Sequence, residues 1–262
     1  MARRDGAGAA IVAPAMVGAA FLALPLVAVL LRAPWPQLGT LLADADLRTT
    51  LVLSLATSVG AAILSLALGM PLAVLLAHAR GGWVRWVRML ATMPIVLPPV
   101  VAGVALLLAF GRTGIVGQWL WRGFGVQLPF SPAAVVMAQT FVAMPFLILT
   151  LEGALRLADV DLADAAATAG ATRTQTLWHV TLPSIGPSVA AAIVLAWARA
   201  FGEFGATITF AGSFPGRTET LPIAVYLALQ SNPDAAIALS LVMVTVSLGV
   251  LLGLRGHWLV RG

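Results

Sequence analysis

Long apolar segments alternate with short polar ones along the whole chain. The apolar segments cover about residues 11–31, 49–77, 91–111, 133–155, 184–210 and 235–254. A helix of roughly 20 apolar residues is long enough to cross the hydrocarbon core of a bilayer, which is about 30 Å thick. Because each segment reaches that length, we predict an all-α polytopic membrane protein with six transmembrane helices.

The third apolar segment has an unusual start, because Pro94, Pro98 and Pro99 all lie within it. Proline lacks a backbone N–H, and its ring clashes with the preceding turn of a helix. We therefore expect this helix to be kinked or broken near its beginning. In the second segment, Pro71 favours either a tilted helix or a turn at the membrane interface.

The composition supports a membrane protein and excludes several kinds of site. Hydrophobic residues make up 60% of the 262 residues and charged residues only 10%, against about 25% in soluble domains. The chain has no cysteine, which excludes a disulfide framework, a thiolate metal site and a cysteine nucleophile. His78, His179 and His257 lie in separate polar segments, so we expect neither a metal site nor a catalytic site.

The distribution of arginine predicts the orientation of the chain. Arginine supplies all fifteen basic residues behind the net charge of +5. Six crossings would place both termini, residues 80–88 and residues 159–183 on one side, and that side carries the larger share of arginine. Since cytoplasmic segments of membrane proteins are enriched in positive charge, we predict cytoplasmic termini. The positive charge then reflects topology and not nucleic-acid binding.

One polar segment between apolar ones has a defined internal pattern, and it is called here the 159–183 loop. It reads DVDLADAAATAGATRTQTLWHVTLP, with small residues before Gly170 and a second short helical piece that Pro183 is expected to stop. A helix–Gly–helix unit of this size cannot bury a core of its own. It is either an ordinary capped loop or a surface offered to another protein.

The spacing in this loop is D-A-A-x3-G-x9-V-x-L-P, formed by Asp164, Ala165, Ala166, Gly170, Val180, Leu182 and Pro183. It resembles the E-A-A…G…I-x-L-P loop of bacterial ATP-binding-cassette (ABC) importer permeases, with Asp in place of Glu and Val in place of Ile. The resemblance implies that this loop forms short coupling helices in a cleft of an ATPase subunit. Leu182 and Pro183 would end the loop and aim the fifth helix.

Three further stretches narrow the resemblance: MPIVLPPVVAGVALLLAFGRTG, ARAFGEFGATITFAG and FPGRTETLPIAVY. They are similar to molybdate importer permeases, with sulfate permeases as related alternatives and tungstate as another tetrahedral oxyanion. The resemblance implies a type I ABC importer permease fold in the bacterial inner membrane. Residues 47–254 would be its transmembrane domain, preceded by 1–46, which hold the N-terminal tail, the first helix and an outer loop, and followed by the basic tail 255–262.

The same resemblance implies partners for this chain. They are a second copy of the chain, two cytoplasmic ABC ATPase subunits and a periplasmic or lipid-anchored molybdate-binding protein. A phosphate-binding P-loop requires a lysine, and this chain has none. ATP and Mg would therefore be bound by the partner ATPase, and we expect no cofactor, no metal and no catalytic activity in this chain.

Two charged pairs remain as candidates. Arg199 and Glu203 lie four residues apart within an apolar segment, so they share one helix face. They could simply neutralise each other or line an outer gate of the translocation pathway. Arg217 and Glu219 follow a Pro-Gly turn, and they could flank a helix or contact the docked binding protein.

A third pair, Glu152 and Arg156, predicts an ion pair near the end of the fourth helix. An ion-coupled secondary carrier is the alternative function, but it would leave the pattern of the 159–183 loop unexplained.

Overall fold

The computed structural model describes residues 5–158 and 160–258, and helices make up most of that part of the chain. The helices are α1 Asp5–Arg32, α2 Leu38–Ala43, α3 Ala45–His78, α4 Gly82–Val96, α5 Pro99–Phe110, α6 Gly117–Phe124, α7 Pro132–Arg156, α8 Val160–Thr168, α9 Arg173–Thr176, α10 Leu182–Ser184, α11 Gly186–Phe201, α12 Gly205–Ala211, α13 Leu221–Ser231 and α14 Pro233–Trp258. A 3-10 turn covers Trp35–Gln37, and a π-helical turn covers Leu177–Thr181. The all-helical fold class is thus confirmed.

Helices α3, α7 and α11 form the centre of the structure. Helix α3 buries a stripe of small residues, including Ser54, Ser58, Ala61, Ser65 and Gly69. A Cβ at Gly69 would lie 2.9 Å from the Leu147 side chain of α7, so a larger residue would have to separate the two helices. Small residues allow such close approach of membrane helices, where packing and not water exclusion drives association.

Helices α3 and α7 run parallel. Gly60 near the middle of α3 faces Val136 near the start of α7, whereas Leu76 near the end of α3 contacts Arg156 at the end of α7. Parallel neighbours must be joined by a connection that returns across the bundle. Helices α4, α5 and α6 make that return.

Four helices are long and apolar enough to span a membrane, and there are up to six spans if each of two bent helix pairs counts as one. The four lie at 10–32, 45–78, 132–156 and 233–253. Helix α3 is continuous through Pro71, so there is no interfacial turn at that residue. Pro145 likewise lies inside a continuous α7.

The third predicted segment, about 91–111, is not a single helix. Helix α4 begins at Gly82, and α4 and α5 meet at an angle of 119°. The break falls at Leu97 and Pro98, because Pro98 and Pro99 lack the N–H groups that would continue α4. The expected break is present, with a larger change of direction than a kink.

The fifth predicted segment, about 184–210, is also divided. Pro183 was expected to stop the preceding helical piece, but it lies inside the turn α10, so that expectation is wrong. The N–H of Leu182 donates to Leu177 O, a wide π-type bond, and this wider turn makes room for the proline ring. The chain bends by 76° only after Ser184, before α11 begins at Gly186.

A further break follows Phe201 and separates α11 from the seven-residue α12. Beyond it, the Pro-Gly turn before Arg217 is followed by α13, which begins at Leu221 and is not among the apolar segments predicted from the sequence.

Candidate functional site

The first half of the 159–183 loop ends in a left-handed turn at Gly170. Its φ angle is +89°, a region that residues with a Cβ rarely adopt. The Ala171 N–H donates to Ala166 O and the Gly170 N–H to Ala167 O, each at 3.0 Å. These two bonds form a Schellman motif, which satisfies carbonyls at the end of α8. Glycine is needed here for its backbone conformation.

The second half begins at once with an N-terminal cap. The Thr172 hydroxyl accepts from the Gln175 N–H at 3.3 Å, and the Gln175 side chain accepts from the Thr172 N–H at 2.8 Å. This is a capping box, which satisfies donors at the start of α9 in both directions. The C-terminal motif of α8 and the cap of α9 are therefore contiguous, and they fix the angle between the two short helices.

One side of the loop is exposed, and the other side packs on the helix bundle. Asp164, Ala165, Gly170 and Pro183 are exposed, while Ala166 and Leu182 are half-buried. On its other side, Leu177 and Leu182 pack against the main core cluster, as do the flanking residues Ala158 and Ile185. Asp159 lies outside the described residues. The structure thus presents the motif residues around Gly170 to the exterior, on a base that packs against the main core cluster.

An ionic cluster lies beside this base. Glu152 of α7, whose side chain is 7% exposed, pairs with Arg156 at 2.8 Å, so the ion pair expected from the spacing is confirmed. Sequence reasoning missed the second partner, Arg88 of α4, whose Nη2 lies 2.6 Å from the same carboxylate oxygen. Both guanidinium groups also donate to Leu76 O, at 3.4 and 3.2 Å, a carbonyl in the last turn of α3.

The opposite end of α3 carries a different cluster. The Ser54 hydroxyl accepts from the Leu221 N–H at 2.7 Å, and Thr49 lies beside Gly216. Arg217 and Glu219 are therefore near the start of α3, whereas the 159–183 loop is at its end. Helix α3 has 34 residues, which is about 51 Å at 1.5 Å per residue. The two sets of candidate residues thus lie at opposite ends of the bundle.

Arg217 is exposed, and Glu219 is half-buried. The Ser213 hydroxyl donates to Glu219 at 3.1 Å. Glu219 also lines a cavity of about 290 Å³ together with Asp44 and Asp46. The structure therefore separates the two residues, since Glu219 turns toward the bundle and Arg217 toward the exterior.

Arg199 and Glu203 form an ion pair of 2.6 Å, and the Glu203 side chain is only 1% exposed. The other carboxylate oxygen of Glu203 accepts from the Ala206 N–H at 2.9 Å. Glu203 therefore caps α12 across the break after α11, a role that the sequence analysis did not predict. The available signal was the pair of glycines, Gly202 and Gly205, on either side of this carboxylate.

Helix α12 in turn packs very closely on α5. A Cβ at Gly205 would lie 2.6 Å from Pro99 Cβ, and one at Gly103 would lie 2.8 Å from Ala206 O. The second halves of the two broken segments are therefore in glycine-mediated contact. Among the described residues, no group of three or more His, Asp or Glu side chains is placed to hold a metal ion.

Comparison with known proteins agrees with this architecture. Residues 69–262 match the family described as "Binding-protein-dependent transport system inner membrane component". The "Molybdenum transport system permease protein ModB" of Mycobacterium bovis is 49% identical over 240 residues, which cover 92% of this chain and 90% of the relative. The protein of the same description from Escherichia coli K12 is 39% identical over 169 residues, which cover 64% of this chain and 74% of the relative.

A solved structure shares the fold. It is a chain from the bacterial alginate ABC transporter in complex with alginate pentasaccharide-bound periplasmic protein, with a TM-score of 0.73 and 20% sequence identity. The superposition covers 98% of this chain and 96% of that chain. The chain is therefore a multi-pass permease of the ABC importer type, and it belongs to the family of binding-protein-dependent transport system inner membrane components.

Proposed function

We propose that this chain is the membrane-spanning subunit of an ATP-driven molybdate importer and that its 159–183 loop couples it to a separate ATPase. Support for the substrate comes from the two relatives described as molybdenum transport permeases, one of them 49% identical over most of both chains. Support for the coupling role comes from the geometry of the loop. The transported ion would be a substrate and not a resident cofactor.

One observation carries the coupling proposal: a rigid, exposed helix–turn–helix is seated on the core of the bundle. The Schellman turn at Gly170 and the capping box at Thr172 hold the exposed part in one shape. Leu177 and Leu182 connect it to the buried cluster. When a bound partner moves, a rigid unit of this kind displaces the helices on which it packs. A flexible loop would instead change its own conformation and leave those helices in place. Asp164, Ala165, Ala166 and Gly170 would contact the ATPase, and Leu182 and Pro183 would guide the connection into α11.

The cytoplasm is the proposed location of this loop and of both termini, because most arginines lie at that end of the chain's predicted topology. The ATPase, with its ATP and Mg, would then dock on that face. Two ATPase subunits would require two loops and hence a homodimer of this chain. ATP binding would drive transport through its different affinity for two conformations of the complex.

The opposite end is the proposed docking face for a periplasmic or lipid-anchored molybdate-binding protein, with Arg217 as the exposed contact and Glu219 shaping the surface beside it. Arg199 and Glu203 lie on the same half of the molecule as that face. We place them at an outer gate, where the α11–α12 break would move when access alternates.

Reconstitution tests this proposal directly. Vesicles that contain the permease, its ATPase and molybdate-loaded binding protein should accumulate molybdate only with ATP. If only sulfate-loaded binding protein stimulates ATP hydrolysis, the substrate is sulfate. Tungstate-loaded binding protein is tested in the same way. Uptake by the purified permease without an ATPase would instead indicate a secondary carrier.

A further inference from the structure

We propose that Glu152, held between Arg88 and Arg156, is the positioning residue through which a movement of the 159–183 loop reaches α4. This inference rests on the proposed coupling role of that loop. It concerns an ionic cluster around the buried Glu152 carboxylate, which lies outside the loop and outside the candidate gate.

The first step is the position of Arg156 at the exit of α7. Only Leu157 and Ala158 separate it from the 159–183 loop, and Ala158 packs on the same core cluster as Leu177 and Leu182 of the loop. The Leu157 N–H still bonds to Gly153 O, so α7 is ordered up to the junction. A displacement of the loop would therefore act on Arg156 at short range.

The second step is the sharing of one acceptor. Arg88 and Arg156 both contact the same oxygen of Glu152, at 2.6 and 2.8 Å, and both donate to Leu76 O. The two guanidinium groups share these two acceptor atoms, each of which has two lone pairs, so a shift of one arginine changes the position of the acceptor for the other. If Arg156 moves away, Arg88 becomes the main partner of Glu152. If Arg156 moves closer to Glu152, the contact between Glu152 and Arg88 becomes weaker.

The third step is how α4 is attached. Val84 and Ala91 of this helix are buried in the main core cluster. Arg88 adds four hydrogen bonds, three to Glu152 at 2.6, 3.0 and 3.4 Å and one to Leu76 O at 3.4 Å. Helix α4 is therefore attached to the bundle by apolar packing and, through Arg88, by polar contacts with α3 and α7. It leads through the break at Leu97 into α5, so its position sets that of the next helix along the chain.

The fourth step is the cost of disturbing the cluster. Removing one partner of a buried ion pair is much more costly than removing both, because a lone buried charge remains. Here only Glu152 is buried, with 7% of its side chain exposed, whereas the Arg88 and Arg156 side chains are 35% and 50% exposed. The buried carboxylate therefore needs an arginine partner, and this need links the positions of the two arginines.

The test is a double-mutant cycle in the complete transporter in vesicles, with molybdate uptake and ATP hydrolysis measured on the same preparation. Glu152→Gln and Arg88→Gln should each lower the number of molybdate ions imported per ATP by about tenfold, within the range of coupling seen for residues in one network. The double variant should fall no further than the singles. Arg85→Gln, an exposed arginine on the same helix, is the matched control and should keep the ratio of the unchanged protein.

A purely structural role for Glu152 gives a different result. Uptake and ATP hydrolysis would then fall together with the amount of folded protein, and the ratio of ions to ATP would stay constant, which would overturn the inference. The variant Gly170→Val separates this failure from a failure of the proposed function. If Gly170→Val uncouples and Glu152→Gln does not, only the role of Glu152 is refuted; if neither uncouples, the coupling role of the loop is refuted as well.

Discussion

Replacing Gly170 gives the sharpest test of the 159–183 loop. Its φ of +89° is strained for any residue with a Cβ, yet a Cβ built there meets no other atom within 4 Å. The penalty of Gly170→Ala is therefore purely conformational, about 1–2 kcal/mol for a left-handed residue. Asn tolerates this region better than Ala, and a β-branched Val tolerates it worse. The expected order of loop stability is Gly, Asn, Ala, Val.

Hydrogen exchange of the purified permease measures this penalty where it acts. A loss of 1–2 kcal/mol in the local opening free energy corresponds to a fall of about 5- to 30-fold in the protection of the amides that close the turn. The matched control is Gly153→Ala, an exposed glycine inside α7 whose added Cβ also meets nothing within 4 Å. That change should stabilise the helix by about 0.5–1 kcal/mol. Equal protection in the two alanine variants would refute the role assigned to the left-handed turn.

Transport adds a second readout for the same series. Gly170→Val should still insert into the membrane as a folded protein. In the complete transporter, however, ATP hydrolysis should no longer drive uptake. The loop would lose the fixed angle between α8 and α9 on which a rigid push depends. Normal ATP-driven uptake by Gly170→Val would refute the coupling proposal, even if hydrogen exchange showed the expected loss of protection in the turn.

Three further changes test the packing and the buried charges. Ser54→Ala should destabilise the permease by about 1–3 kcal/mol, because it leaves the fully buried Leu221 N–H without its acceptor; thermal unfolding in detergent measures this. Gly103→Ala should lower the unfolding temperature markedly, since the added Cβ would lie 2.6 Å from a side-chain carbon of α12; unchanged unfolding would contradict the close contact. Arg199→Gln should cost about 3–5 kcal/mol by leaving Glu203 buried and unpaired, and adding Glu203→Gln should recover part of that loss. If the double variant is stable and transports normally, the pair is structural and the gate proposal fails.

The apolar pattern was sufficient to predict the helical fold but not the breaks within it. Gly202, Glu203 and Gly205 interrupt the apolar segment predicted at about 184–210, but this interruption alone does not show that α11 ends and α12 begins there. The break depends on the Glu203 carboxylate reaching the Ala206 N–H, a contact made only in three dimensions. Pro183 shows the opposite error: a rule that usually ends a helix is overridden by the π turn at 177–181, and the bend lies between Ser184 and Gly186.

The ionic cluster shows more clearly which contacts can be predicted from the spacing of residues along one helix and which cannot. Spacing predicts the Glu152–Arg156 pair, because residues four apart share a helix face. The Arg88 contact joins residues 64 positions apart and depends on α4 folding back beneath α7. One carboxylate thus has a partner that the sequence reveals and another that only the fold provides.

Both buried carboxylates in the bundle lie beside helix ends, and this gives a physical reason for their presence. A helix that ends inside a membrane leaves backbone groups without partners, and no water is there to satisfy them. Glu203 supplies an acceptor to the start of α12, and Glu152 orients two arginines that donate to Leu76 O near the end of α3. Each carboxylate is in turn neutralised by arginine, which removes most of the cost of burying it. The Glu203 carboxylate therefore supports an interrupted helix within the bundle, whereas the Glu152 cluster satisfies a carbonyl at the end of α3 beside the 159–183 loop.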